Sequence, residues 1–218
     1  MNTPNQKFWT NITPEKEHRL LLNMERALKA PPRISVVKWA DQYRQLPRGS
    51  GSMSGRWETS AVEIARGPMM AVTEPGVHII TLMTCTQLLK TSLLENVFGY
   101  FAHLDPCPIL LLQPKDEAAQ QFSKERISPM IRETLVLNEI VGSTKTRNAD
   151  ETLTFKSFIG GFLVISGAGS PDNLARRPVR VLLCDEIDKY PTTREGDPIM
   201  LKVGLPAVFK IRTNATHR

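Results

Sequence analysis

The sequence predicts an α/β fold, with a mainly parallel central sheet in the middle of three layers. Three observations predict it. The run Val179-Arg180-Val181-Leu182-Leu183-Cys184 is apolar at every position but Arg180, the pattern of a strand buried on both faces inside a parallel sheet. A second such run, Ile109-Leu110-Leu111-Leu112, lies between Pro108 and Gln113-Pro114. Helical stretches intervene: Leu93, Leu94, Val97, Phe98, Tyr100 and Phe101 mark one helix, and 116–134 places Ala118, Phe122, Ile127, Met130 and Ile131 inward. Strands alternating with helices point to βαβ units.

Residues 1–32 read as a small N-terminal helical appendage. Leu20, Leu21, Met24, Ala27 and Leu28 share a helix face, and Pro31-Pro32 ends it. Residues 33–41 begin a second short element, and the Pro/Gly/Ser-rich stretch 46–55 reads as a mobile loop. Trp57 beyond it either anchors that loop or, with Arg56, stacks on a base. A small helix is expected over 61–70. Residues 77–84 alternate and run apolar after Pro75-Gly76, which predicts a strand. Lys124, Arg126 and Arg132 are expected on the outer face of the 116–134 helix, and Lys145 and Arg147 lie in a polar stretch. Residues 152–156 and 161–166 around Gly160-Gly161 read as a hairpin or two neighbouring strands. A helix is expected from Ile199, and residues from Lys202 onward show neither strand nor helix periodicity.

Composition narrows the class. The 218 residues suffice for one sizeable core domain, and 41% hydrophobic with 23% charged residues is the balance of an ordinary globular chain. No apolar run approaches the roughly 18–20 residues that span a bilayer, and the polar N-terminus has no secretory h-region. The net charge of +6 suits a polyanion partner, though it is also common among proteins that bind none. Cys85, Cys107 and Cys184 are widely spaced beside apolar runs, which fits buried free thiols and no metal cluster.

Two stretches carry chemistry. Asp185-Glu186 follow the Val181 run, at the edge where open α/β sheets bind ligands. One carboxylate there can hold Mg²⁺ while its neighbour orients or deprotonates a water. That is the layout of a Walker B strand, although a buried strand running into an acidic loop gives the same letters. Upstream, Cys85-Thr86-Gln87-Leu88-Leu89-Lys90-Thr91-Ser92 lies between the 77–84 strand and a helix. This is the layout of a P-loop, whose N–H groups cradle phosphates while the lysine reaches their outer oxygens and the hydroxyl meets Mg²⁺. The usual glycines are replaced by Thr84 and Leu89, so a left-handed backbone at 89 would be strained. Arg176 and Arg177 stand just ahead of the acidic strand, where an arginine can steady a phosphoryl transition state, cap structure or bind DNA.

Taken in order, these segments resemble the large terminase subunit of tailed phages, in the lambda-like (GpA) family of packaging ATPases. The likeness covers about 35–200. It is densest at Gly55-Arg56-Trp57, at 85–92, at Pro108-Ile109-Leu110 through Gln113-Pro114, and at Phe122-Ser123-Lys124 with Pro129-Met130. It continues through Gly160-Gly161-Phe162, Gly167-Ala168 with Ser170-Pro171, Leu174-Ala175 and Arg177-Pro178-Val179-Arg180 to Asp185-Glu186-Ile187-Asp188 and Tyr190-Pro191. The resemblance implies an ASCE-type P-loop ATPase using ATP and Mg²⁺. It implies double-stranded DNA, a small terminase subunit and a portal protein as partners, a homo-oligomer during packaging, and work in the cytoplasm of a bacterial host. Position by position, Lys90 and Thr91 would be the Walker A lysine and Mg²⁺-binding hydroxyl, within a nucleotide-binding loop of Cys85, Thr86, Gln87, Leu88, Leu89 and Ser92. Asp185 would be the metal ligand and Glu186 the catalytic carboxylate. Tyr43 would lie in the adenine-contacting segment. Gln87 occupies the place of a catalytic arginine in some relatives, so Arg177 or Arg176 would supply the finger; Asp188 and Tyr190 would be structural.

Relatives commonly have glycine at the position of Leu89. They continue past the 196–198 region with another core strand and a nuclease domain. The expected organisation here is an appendage (1–32), an ATPase domain incomplete at its C-terminal end (33–201), a divergent tail (202–218) and no nuclease domain. A helicase-like translocase shares both motifs. A truncated, non-catalytic prophage remnant binding DNA or the small subunit is favoured by Leu89 and opposed by the intact Asp185-Glu186 pair.

Overall fold

The structure is a computed structural model. It describes Pro14, residues 33–47, 54–85, 88–141, 153–169 and 178–192, and the backbone of 208–210. The chain divides into two compact units, Met1–Arg33 and Ile34–Arg218. Apart from Pro14 and Arg33 the first lies outside the described residues, as do Lys145, Arg147, Arg176, Arg177 and the helix expected from Ile199.

In the second unit, consecutive apolar residues become the inner strands of a five-stranded sheet. β3 (Pro108–Gln113) pairs in parallel with β5 (Gly161–Gly167) on one side and β6 (Val181–Cys184) on the other. β4 (Phe155–Phe158) runs antiparallel to β5 as the expected hairpin, and β7 (Val208–Lys210) lies parallel to β6. The order is β4-β5-β3-β6-β7. Alternate residues face opposite sides. Ile109, Leu111, Leu163, Ile165, Val181 and Leu183 join the larger core with the helices. Leu110, Leu112, Val164, Leu182 and Cys184 pack with Val179, Ala168 and Tyr190 on the other side.

β7 corrects the reading of the tail as unpatterned from Lys202. A three-residue strand is too short to show periodicity, and pairing with β6 defines it. Residues 77–84 give the opposite correction. They carry one bridge residue, Thr81, and form no strand. Ile80 and Leu82 lean on the core while Ile79 and Met83 are exposed; alternation specifies an extended backbone but does not supply a neighbouring strand.

The helices gather on the larger core. α1 (Val36–Tyr43) starts at Ser35, whose hydroxyl accepts the Lys38 N–H at 3.3 Å. A short antiparallel ribbon, β1 (Gln45–Leu46) with β2 (Gly55–Arg56), closes the ends of the expected loop. A 3₁₀ segment (Thr59–Ala65) and α2 (Arg66–Ala71) stand where one small helix was expected. α3 (Lys90–His103) packs against α1. Gly99 sits inside α3 because a Cβ there would collide with the Trp39 indole, and Trp39 Nε1 donates to His103 Nδ1 at 3.1 Å.

α4 (Asp116–Phe122), a π-turn (Ser123–Ile127) and α5 (Ser128–Glu133) run on as one bent rod, followed by α6 (Leu135–Ile140). Pro129 explains the wide turn: it has no N–H to give the carbonyl of residue 125, and its ring needs room there. The widening carries Arg126 inward, to an ion pair with Glu95 at 3.0 Å. That corrects the expectation of Arg126 on the outer face, and Ala119 replaces Ala118 in the core.

Two predictions follow from the α1–α3 contact. Helix propensity alone would make Gly99→Ala stabilising by up to about 1 kcal/mol. The collision with Trp39 instead predicts a net loss of about 1–3 kcal/mol in urea unfolding, and a gain would show that Trp39 does not rest on Gly99. His103 is held below its usual pKa by burial, with Glu139 opposing weakly. Folding therefore favours neutral imidazole, so this contribution is intact above about pH 6.5 and is lost as pH falls through the lower folded value. Thermal unfolding between pH 7.5 and 5 should show this loss, and His103→Gln should flatten it.

Candidate active site

The parallel register of β3 and β6 puts two polar residues side by side at the C-terminal edge of the sheet. Gln113 ends β3 and Asp185 follows β6. The Asp185 N–H donates to Leu112 O at 3.0 Å, and the Tyr190 hydroxyl donates to the same carbonyl at 2.8 Å. One backbone oxygen thus staples both ends of the loop 185–190, consistent with the structural part expected of Tyr190.

Asp185 is buried, and its side chain accepts from Gln113 Nε2 at 3.1 Å. Burial pushes its pKa above the usual carboxylate range; Glu186 adds to this, while Gln113 and the Lys90 ammonium pull the other way. Lys90, the first residue of α3, therefore lies within electrostatic reach of Asp185, as the two motifs require. Glu186 takes a left-handed backbone (φ 51, ψ 48) ahead of a 3₁₀ turn, Ile187–Lys189. Its Oε2 is held by Lys189 Nζ at 2.8 Å, and that pair is largely exposed. The pairing raises the Lys189 pKa.

Leu89 is left-handed as well (φ 49, ψ 2). Among the described residues, Leu89 and Glu186 are the two non-glycine residues with positive φ. Each such conformation costs about 1–2 kcal/mol, and strain of this kind concentrates at functional sites. The chain thus takes at 89 a left-handed backbone that glycine would adopt without strain. The start of α3 has no side-chain cap, and Thr84 Oγ1 is buried without a hydrogen-bond partner among the described residues. Open helix N–H groups and a spare hydroxyl suit an oxygen-rich anion. A single buried carboxylate at the sheet edge suits Mg²⁺, which keeps few protein ligands. The residues present fit a Mg²⁺–nucleotide.

Not every expected residue arrives. Lys90 acts electrostatically on Asp185, Glu186 follows Asp185 in the chain and pairs with Lys189, and Leu88, Leu89, Thr91 and Ser92 flank Lys90 in sequence. Thr86, Gln87 and Arg177 lie outside the described residues. Cys85 is exposed, which corrects the expectation that it is buried, while Cys107 and Cys184 are buried and form no disulfide. Tyr43 stacks edge-on to His103 at 5.1 Å. His103 ends α3, which Lys90 begins, so the two are about 20 Å apart along the helix. The structure does not bring Tyr43 to Lys90. Trp57 is buried and donates to Thr59 Oγ1 at 3.0 Å, making it the anchor rather than the stacking surface.

Its neighbour Arg44 does reach the N-terminal turns of α3, and sequence reasoning missed it. Fully buried, it donates to Ser92 O at 2.7 Å and pairs with Asn96 and Glu95. Its guanidinium lies 4.9 Å from the Trp57 ring centre, and burial lowers its pKa against the pull of Glu95. Gln113 was missed too, and its signal was a lone amide ending an apolar run.

Comparison with known proteins agrees with this geometry. Residues 51–209 match the family described as phage terminase large subunit gpA, ATPase domain. The chain is 30% identical over 179 residues to the terminase large subunit of Enterobacteria phage P21, and 28% identical over 180 residues to that of Escherichia phage lambda. These alignments take in 80% and 81% of this chain but 27% and 28% of the relatives, so the chain spans about a quarter of their length. The crystal structure of the HK97 bacteriophage large terminase shares the fold, with a TM-score of 0.58 at 14% identity over 83% of this chain and 37% of that one. The family match runs through Phe209 in β7, which corrects the expectation that likeness fades near Lys202. It spans most of the sequence and includes Lys90, Gln113, Asp185 and Glu186, and the chain belongs to the family of ATPase domains of phage terminase large subunits.

Proposed function

We propose that this chain binds Mg-ATP between Lys90–Thr91 and Asp185–Glu186 and hydrolyses it to drive double-stranded DNA into a procapsid. The buried Asp185 carboxylate at the C-terminal edge of the parallel pair β3 and β6, where open α/β sheets bind ligands, carries the reading. The α3 N-terminus and Lys90 would hold phosphate oxygens, and Asp185 with the Thr91 hydroxyl would hold the ion. Bound Mg²⁺ supplies charge neutralisation on the phosphates. Glu186 would orient the attacking water and take its proton as the water oxygen bonds to the γ-phosphorus and the bond to the bridging oxygen breaks. Lys189 must first release that carboxylate. An exposed pair of this kind is weak, worth about 0–1 kcal/mol, so release is easy. An arginine finger from Arg177 or Arg176, or Gln87 in its place, remains part of the proposal.

DNA would be held through its backbone by basic surface residues, with steep salt dependence and no base readout. The small terminase subunit, a portal protein and further copies of the chain would be partners in the host cytoplasm; no described helix is long and apolar enough to cross a membrane. Leu89 favours a second reading, a non-catalytic domain that binds DNA or the small subunit.

Steady-state ATP hydrolysis with Mg²⁺, with and without linear duplex DNA, separates the two. Turnover is expected in the unaltered chain and should fall at least 100-fold in Lys90→Ala and Glu186→Gln, the scale of losing one catalytic interaction (about 10²–10³). Folded protein with neither turnover nor nucleotide binding would install the second reading. Leu89→Gly should tighten nucleotide binding several-fold because it removes a side chain that would crowd the phosphates, whereas relief of the left-handed strain, present already without ligand, should appear as roughly 1–2 kcal/mol in unfolding. Unchanged affinity in equilibrium titration would mean that Leu89 is no obstacle.

A further inference from the structure

The structure assigns Gln113 as the positioning residue that sets the Asp185 carboxylate for a divalent cation, an assignment that rests on the nucleotide-binding reading above. Gln113 is the one polar side chain at the end of an otherwise apolar strand, and it is 5% exposed. Burying an unpaired amide costs about 1–3 kcal/mol, so its partner is informative. That partner is Asp185, from a strand-end 72 residues later, at 3.1 Å.

The main chain around the pair is already fixed. Gln113 O accepts the Ala168 N–H at 2.8 Å, Gln113 lies opposite Gly167 in register, and the Asp185 N–H is bound to Leu112 O. What remains free is rotation of the carboxylate plane, and the Gln113 amide restrains it by holding Oδ2. The donor's neutrality matters as well. A lysine or arginine at this position would bind the same carboxylate as a counter-ion and compete with the metal, whereas an amide orients it and leaves its charge unspent. Outer partners of this kind change metal affinity by about 10–100-fold when removed.

The test is equilibrium binding of a fluorescent ATP analogue to the whole chain, in EDTA and across a Mg²⁺ titration. Gln113→Met keeps the length and loses the donor. It is expected to weaken the Mg²⁺ dependence of binding by about 10–100-fold and to leave binding in EDTA unchanged. Gln113→Asn, which withdraws the amide by one carbon, should give the same split and serves if the methionine variant does not fold. Equal loss with and without Mg²⁺ would make Gln113 a packing residue and overturn the assignment, as would an unchanged Mg²⁺ titration. No nucleotide binding by the unaltered chain in either condition would remove the nucleotide reading and this assignment with it.

Discussion

The fold around the site hangs on one buried guanidinium. Arg44 leaves water completely, at a cost of several kcal/mol, and is repaid by Glu95, Asn96 and the Ser92 carbonyl, all in the first turns of α3. These partners lie 48 to 52 residues away in sequence. They fix α3 against the segment after α1 at the end that Lys90 begins. Glu95 also receives Arg126, so one carboxylate faces two arginines. The charge left over beneath that end of α3 is positive, which suits the anionic ligand proposed for it.

Two stapled elements then define the chemistry between them. The Arg44 network holds α3, and the Leu112 carbonyl holds the loop 185–190 by both ends. Strain appears at one end of each element, at Leu89 before α3 and at Glu186 in the loop. Held backbones can carry unfavourable φ values because their surroundings leave no cheaper arrangement. The fold is shared with the HK97 large terminase at 14% identity, so few particular residues are needed to specify it.

What the sequence made legible was what local pattern controls. β3 and β6 are uninterrupted apolar runs, and α3 repeats its apolar residues at helical spacing, so each could be read without knowing its neighbours. Asp185-Glu186 and Lys90-Thr91 were legible as motifs because their chemistry depends on short spacing. Pairing across distance was hidden. Arg44 reads as an ordinary surface arginine until Glu95 is placed beside it, and Gln113 as a strand terminator until Asp185 arrives. Residues 77–84 have the alternation of a strand without a partner, while β7 has a partner without the alternation. Tyr43 was assigned through resemblance alone, and its ring packs on His103.

The π-turn at Ser123–Ile127 constrains how this region can change. Each residue of an α-helix advances the direction of its successors by about 100°. The wide turn absorbs the misfit at Pro129 so that Ser123 reaches the Leu153 carbonyl, Arg126 reaches Glu95, and Ile127 and Met130 still face the core. Deleting or inserting a single residue between 123 and 129 would rotate these groups out of phase with their partners. A solvent-facing helix could slide to accommodate such a change. This one cannot, so a surface-looking stretch of the domain is fixed in length by an ion pair lodged against the helix that Lys90 begins.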